Sequence, residues 1–155
     1  MELLTPEYNF YFVFILLPMG IFLVPYIFFI RTQYSTLHAI QPENRLMHPN
    51  EVWLQLIPLF GLIWQFVVVA RIADSIQREY QSHKEVSFLG MGDGDLQEKI
   101  NERVTYTTGF SYCVVLMLSF IPVIGFIIGI PMLILWITYW RQLIKHRDII
   151  LESGL

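Results

Sequence analysis

The sequence predicts an all-α fold, an integral membrane bundle of helices formed by a single domain over residues 1–155. Hydrophobic residues make up 55% of the chain and charged residues 15%, whereas soluble domains contain about 25% charged residues. Three long stretches, residues 8–30, 52–70 and 104–140, contain no charged residue. This much continuous apolar sequence is typical of helices that lie in lipid, where the backbone must satisfy its own hydrogen bonds.

The first two stretches each have the length of one membrane crossing. As helices they are about 34 Å and about 28 Å long, and the hydrocarbon core of a bilayer is about 30 Å thick. Trp53 lies near one end of the second stretch, where an indole ring is a typical interfacial anchor. Pro58 and Gln65 lie farther inside it. Because an unpaired amide in hydrocarbon is costly, we expect this part of the chain to contact a neighbouring helix.

The third stretch, residues 104–140, is about 55 Å long as one helix, which is nearly twice what a crossing needs. Pro122 and Gly125 lie near its middle. They favour two helices, residues 104–121 and 123–140, joined by a tight reversal. The sequence thus predicts four crossings. A single tilted and Pro-kinked helix, giving three crossings, is the alternative.

Within this third stretch, two groups of residues have predicted roles. Trp136, Tyr139 and Trp140 lie at its end and are expected to be interfacial anchors. Gly125 and Gly129 form a Gly-x-x-x-Gly pattern. This spacing places both glycines on one helix face and lets another helix approach closely. Pro122 is expected to contribute to helix packing by reversing the chain.

A short pattern occurs twice in the apolar sequence. Residues 57–61 and 121–125 both read Ile-Pro-x-x-Gly. The repetition indicates either a duplicated pair of helices, of the kind found in transporters, or a chance match between apolar segments.

The distribution of Lys and Arg bears on orientation, because these residues concentrate on the cytoplasmic side. Four crossings would place both termini and residues 71–103 in the cytoplasm, together with eight of the ten basic residues. Three crossings would divide the ten equally. In a third arrangement residues 52–70 enter and leave through one face, which puts all ten basic residues inside and the N-terminus outside. The length of residues 52–70 favours a single crossing instead.

Residues 71–103 are predicted to form a short cytoplasmic helical hairpin. Apolar residues spaced four apart mark one face of each arm, Ile72, Ile76 and Tyr80 on the first and Leu96, Ile100 and Val104 on the second. The connecting loop contains three apolar residues that would pack on the hairpin or contact lipid or a partner, namely Phe88, Leu89 and Met91.

The sequence offers no residues for catalysis. The predicted crossings contain no charged side chain, which disfavours a proton or ion pump. The four histidines are scattered, so no metal site is predicted, and no nucleotide, phosphate or cofactor motif is present. The net charge of −3 and the absence of a basic cluster argue against nucleic acid. We therefore expect a protein that is not an enzyme and carries no cofactor.

Residues 48–76 resemble a block in an uncharacterised family of small bacterial multi-pass membrane proteins, whose domain has no known function. Residues 121–125 and 136–140 are similar to the closing segment of that family. The resemblance implies a bacterial cytoplasmic (inner) membrane and brings no activity with it.

Two functions fit these observations. The first is an accessory or scaffold subunit, which binds other membrane proteins or copies of itself within the lipid bilayer. The alternative is a small channel or transporter component, built around a polar seam that consists of Gln65, Tyr106, Thr107, Ser111 and Tyr112. The scarcity of charged residues to line a pathway favours the first.

Overall fold

The structure is a computed structural model that describes residues 6–87, 103 and 105–152. Over these residues every regular element is a helix, which confirms the all-α fold class for this part of the chain. In chain order the elements are α1 (Pro6–Ala39), a 3₁₀ helix (Pro49–Leu56), α2 (Phe60–Ser87), α3 (Tyr106–Ser119) and α4 (Pro122–Glu152). Two segments among them, Phe60–Ser82 and Ile127–Glu152, are long and apolar enough to cross a membrane.

The apolar run 104–140 does not form one helix. It breaks at Phe120 and Ile121, and α4 begins at Pro122, whose missing N–H suits the first position of a helix. The two helices then run antiparallel. Two contacts show the direction, because the later residue of one helix meets the earlier residue of the other. The Gln142 amide donates to Thr108 Oγ1 at 3.2 Å, and the Tyr139 ring stacks on Tyr112.

The predicted helix over residues 52–70 is also interrupted, which corrects the prediction of one continuous helix there. The 3₁₀ helix ends at Leu56, and Ile57 has an extended backbone with ψ of 118°. Leu59 has a positive φ of 63°. Pro58 explains the break, since proline disfavours the helical conformation of the residue before it and cannot donate a backbone hydrogen bond.

Residues 41–59, here called the return segment, run back along α2. Their partners on α2 move steadily towards its beginning as the chain advances. The hydrogen bonds are those from Gln41 N to Glu79 Oε2, from Leu46 N to Ser75 Oγ and from Trp64 Nε1 to the Glu51 carbonyl, at 3.2, 2.9 and 2.9 Å. The chain therefore leaves α1, reverses, and reverses again at Pro58 to enter α2.

Helices α2 and α4 point in the same direction, and α3 points the other way. Gly109 on α3 lies where an added Cβ would be 2.6 Å from Val69 on α2 and 2.7 Å from Tyr139 on α4. Farther along both helices, the Tyr80 hydroxyl and His146 Nδ1 are 2.8 Å apart. The contacts thus advance along α2 and α4 together.

The core is aromatic where α1 meets α3 and α4. Phe29 is fully buried and makes edge contacts with the rings of Tyr112, Trp136, Tyr139 and Trp140. Tyr139 is also fully buried, so it does not act as the surface anchor that its position in the sequence predicts. The reason is that this face of α4 packs on α1 and α3.

The other two predicted anchors on α4 and the one on the 3₁₀ helix differ in exposure. Trp136 and Trp140 are half-buried, and Trp140 Nε1 donates to Thr32 Oγ1 at 2.8 Å. Trp53 is exposed, at 37% of its surface. Of the four residues predicted as anchors, Trp53 is the most exposed.

Helix α2 continues beyond the apolar run as predicted for the first arm of the hairpin. Ile72 and Ile76 are fully buried and Tyr80 is nearly so. The partner of Tyr80 in the structure is His146 on α4. The second arm and the loop lie outside the described residues, and with them the predicted contacts of Leu96, Ile100, Val104, Phe88, Leu89 and Met91.

The two Ile-Pro-x-x-Gly turns share two contacts. In each, the glycine N–H donates to the isoleucine carbonyl at 2.7 Å. A Cβ at Gly61 would overlap the carbonyl oxygen of Gln55, and a Cβ at Gly125 would overlap that of Ser119. Each glycine therefore lets a new helix begin directly against the end of the preceding one.

We expect Gly61→Ala and Gly125→Ala each to destabilise the fold, because the added methyl meets backbone that cannot move aside. Overpacking of this kind costs about 1–3 kcal/mol. Gly129→Ala is the matched control, since a Cβ at Gly129 meets nothing within 4 Å and alanine favours a helix. Thermal unfolding of the three purified variants in one detergent tests this, and equal melting temperatures would contradict it.

Candidate functional site

Three arginines lie at one level of the bundle. Val69 and Tyr139 both lie against Gly109, so Arg71 and Arg141, each two residues farther along parallel helices, are level with one another. Arg31 joins them, because its neighbour Thr32 bonds to Trp140, the residue before Arg141.

A fourth arginine, Arg103, lies just before α3 in the chain and beside α2 in the bundle. Its Nε lies 3.1 Å from Asp74 Oδ1 of α2, and its guanidinium lies over the Tyr106 ring. Arg31, Arg71, Arg103 and Arg141 are here called the arginine belt.

The exterior of the bundle changes character at the arginine belt. Among the described residues, the exposed large apolar side chains all lie on one side of it, with the exception of Leu151. The other side exposes polar residues, which include His38, Glu43, Arg78, Gln81 and Lys145. These two regions are here called the apolar end and the polar end.

The polar end has a buried carboxylate in its interior. Glu79 is fully buried and accepts hydrogen bonds from the Gln41 backbone at 3.2 Å and from Asn44 Nδ2 at 2.6 Å. The Tyr80 and His146 side chains meet beside it. These contacts attach the beginning of the return segment, α2 and α4 to one another.

Buried amide side chains lie between the two ends. Gln55 Nε2 donates to Gln33 Oε1 at 2.6 Å, and Gln65 Nε2 donates to the Tyr112 hydroxyl at 3.0 Å. All four side chains are at least 95% buried. This glutamine layer, formed by Gln33, Gln55, Gln65 and Tyr112, connects α1, the 3₁₀ helix, α2 and α3.

The structure brings together only part of the polar seam that the sequence indicates. Gln65 and Tyr112 meet, whereas Thr107 is exposed and Ser111 is half-buried without joining them. Tyr106 stacks instead on the ring of Phe110. The residues of the seam therefore do not line one continuous path.

Sequence reasoning missed the pairing of Gln33 with Gln55. Gln33 follows Arg31, outside the uncharged run, and nothing in its spacing points inward. Only the reversal of the chain at residues 41–59 brings the 3₁₀ helix beside α1 and buries the two amides together.

A cavity of about 800 Å³ adjoins the glutamine layer at the apolar end. Its wall is contributed by all four α-helices and by the turn at Pro58, with Leu23, Leu62, Leu116 and Met132 among the lining residues. Gln55, Gln65 and Tyr112 also reach its wall. No charged side chain of the described residues lines it.

The glycines of the Gly-x-x-x-Gly pattern have separate environments. Gly125 packs against the Ser119 carbonyl of its own chain. Gly129 has open space beside it, which leaves this side of α4 accessible to another helix.

In the part of the chain that the structure describes, no group of three or more His, Cys, Asp or Glu residues could hold a metal ion. Comparison of the chain with family models, curated proteins and solved structures gives no match.

The bond between Gln65 and Tyr112 can be measured by a double-mutant cycle. We expect Gln65→Leu and Tyr112→Phe each to lower the free energy of unfolding, since each removes one partner of a buried bond. The double variant should lose less than the sum, with a coupling of about 0.6–1.7 kcal/mol. Unfolding of the four proteins in mixed micelles gives this coupling, and strict additivity would show that the bond contributes nothing.

Proposed function

We propose that this chain is a multi-pass membrane protein that acts without catalysis, as an accessory or scaffold subunit of a membrane complex. In the arrangement that we propose, α1, α3 and α4 cross the bilayer, and residues 49–70 enter and leave it through the cytoplasmic face. The N-terminus is then outside and the C-terminus inside. This replaces the four crossings that the lengths of the apolar stretches predict.

The change of exterior at the arginine belt carries this proposal. A surface that is apolar on one side of the belt and polar on the other fits a bundle half embedded in lipid, with arginines at the interface. The two candidate crossing segments, Phe60–Ser82 and Ile127–Glu152, contribute to the apolar side.

The depth of α2 argues against a full crossing by this helix. Its apolar part, residues 60–70, precedes the belt and is about 16 Å long, which is about half of the hydrocarbon core. The remainder of Phe60–Ser82 contains Asp74, Arg78 and the buried Glu79, and these belong to the polar end.

The return segment supplies the second half of the excursion. A 3₁₀ helix of 8 residues rises about 16 Å, which matches the apolar part of α2. The 3₁₀ helix is attached to α1 through Gln33 and to α2 through Trp64, whereas the turn that follows it is exposed at Ile57 and Leu59.

The charge rule supports the same arrangement. With residues 49–70 entering and leaving through one face, all ten basic residues of the sequence lie on the cytoplasmic side. The bacterial cytoplasmic membrane is proposed on the resemblance of residues 48–76 alone.

The scaffold role is supported by the exposed face of α4. Four isoleucines form a stripe with spacings of three and four residues, and Gly129 leaves room beside them. Each of the four is at least half exposed, namely Ile127, Ile130, Ile134 and Ile137. Such a stripe fits a partner helix packed by knobs into holes.

A channel has less support from the structure. Gln55 Nε2 and Gln65 Nε2 donate within the glutamine layer, and the cavity wall is uncharged over the described residues, so neither offers a charged path across the bilayer.

Labelling of single cysteines tests the topology, in a Cys113→Ser background. In intact cells we expect Glu43→Cys to be protected from an impermeant maleimide and Glu7→Cys to be labelled. Four crossings predict the reverse at both positions. The two positions control for each other, because each arrangement labels one of them and protects the other.

For the scaffold role, we expect mild extraction to recover the protein with another membrane protein or a second copy in fixed ratio. Ile130→Ala combined with Ile134→Ala should reduce that recovery several-fold. The matched control is Val114→Ala combined with Leu118→Ala, which shortens two exposed side chains on α3. Recovery of a monomer alone from native lipid would argue against the proposal.

A further inference from the structure

The cavity at the apolar end exists because the return segment stops about halfway through the bundle. Between the arginine belt and the turn at Pro58, the 3₁₀ helix and α2 fill the space beside α1, α3 and α4. Beyond it those three helices continue without them, and the cavity opens between Leu23, Leu116 and Leu133. Its position is thus a consequence of the chain reversal.

The wall of the cavity selects an apolar occupant. Most lining side chains are aliphatic or aromatic, and the amide of Gln65 is already bonded to Tyr112. An apolar space does not attract water, and it binds hydrocarbon when it is large enough. A volume of about 800 Å³ lies within the range of pockets that hold small ligands.

The rim of the cavity faces the region that the proposed topology assigns to lipid. Leu23, Leu59 and Phe120 all line the cavity and are exposed, at 45%, 80% and 64% of their surfaces. A hydrocarbon chain can therefore pass from the bilayer over this rim without crossing a polar surface.

The depth of the cavity fits one leaflet. The apolar part of α2 spans about 16 Å, and half of the hydrocarbon core is about 15 Å. The turn at Pro58 then lies near the bilayer midplane, with the cavity on the side away from the arginine belt. This is the depth that the tails of lipids in the outer leaflet occupy.

A second copy of the chain is a poorer fit. A helix with its side chains is about 10–12 Å across, so the cavity would admit at most about two turns of it. The exposed isoleucine stripe that suits helix packing lies on residues of α4 that do not line the cavity.

We propose that this cavity binds one hydrocarbon tail of a lipid from the outer leaflet. The inference rests on the proposed membrane topology and adds a ligand to it. The bound tail fills the space that the short return segment leaves between α1, α3 and α4, and recognition is by shape and apolar contact.

The test uses two positions on α3 that lie two residues apart. Leu116 lines the cavity, whereas Leu118 is exposed and does not. Delipidated full-length protein in detergent is titrated with palmitoyl-oleoyl phosphatidylcholine, and bound lipid is counted by native mass spectrometry. We expect saturable retention of one lipid per chain, weakened at least ten-fold by Leu116→Trp and unchanged by Leu118→Trp.

Competition identifies the part of the lipid that is bound. Oleyl alcohol should displace the phospholipid, and glycerophosphocholine, which has the head group without tails, should not. Equal binding by Leu116→Trp and wild type, or displacement by glycerophosphocholine, would overturn the proposal. So would loss of a dimer in Leu116→Trp with lipid binding unchanged, because a second copy would then be the occupant.

Two further measurements separate this proposal from the topology and from misfolding. Circular dichroism should give Leu116→Trp the helix content of wild type. If instead its helix content falls, Leu116→Phe takes its place in the titration. Labelling at Glu43→Cys and Glu7→Cys reports the topology independently, so that a correct topology without lipid retention refutes the tail site alone.

Discussion

A chain that turns back within an apolar region must find partners for every polar group that it brings along, and this constraint governs the structure. The return segment meets it through four hydrogen bonds, although Gln33 Nε2 and Gln55 Oε1 are buried without a partner among the described residues. Its start is held by Glu79 and Ser75, its 3₁₀ helix by Trp64, and its end by Gln33 through Gln55. These bonds fix where the segment lies and how far it reaches.

The sequence predicts the elements better than their paths. The all-helical class follows from composition, and the break near Pro122 follows from a run too long for one crossing. The continuous helix predicted over residues 52–70 is wrong, because length alone does not distinguish one straight helix from a 3₁₀ helix followed by a reversal and a second helix. The signal was present in Pro58 and Gly61, which repeat the pattern of Pro122 and Gly125.

The two Ile-Pro-x-x-Gly turns use the same glycine contacts at two levels of the bundle. In both, the glycine N–H bonds to the isoleucine carbonyl and the missing Cβ leaves room for the carbonyl six residues earlier. The incoming elements differ, a 3₁₀ helix of 8 residues in one case and an α-helix of 14 in the other. The 3₁₀ helix is about 16 Å long and the α-helix about 21 Å long. The turn at Pro58 therefore lies closer to the arginine belt than the turn at Pro122 does.

The glutamine layer determines that depth, and through it the size of the cavity. Gln55 lies three residues before Pro58, so its bond to Gln33 positions the turn along α1. A slip of one residue would move the Gln55 amide to another face of the 3₁₀ helix and leave it unpaired in apolar surroundings, which costs about 1–3 kcal/mol. The contact of Gln33 could not be predicted from the sequence, because it depends on the chain reversal that brings Gln55 beside it. The glutamine layer thus fixes the register of the 3₁₀ helix against α1, and the cavity beyond Pro58 is a consequence of that register.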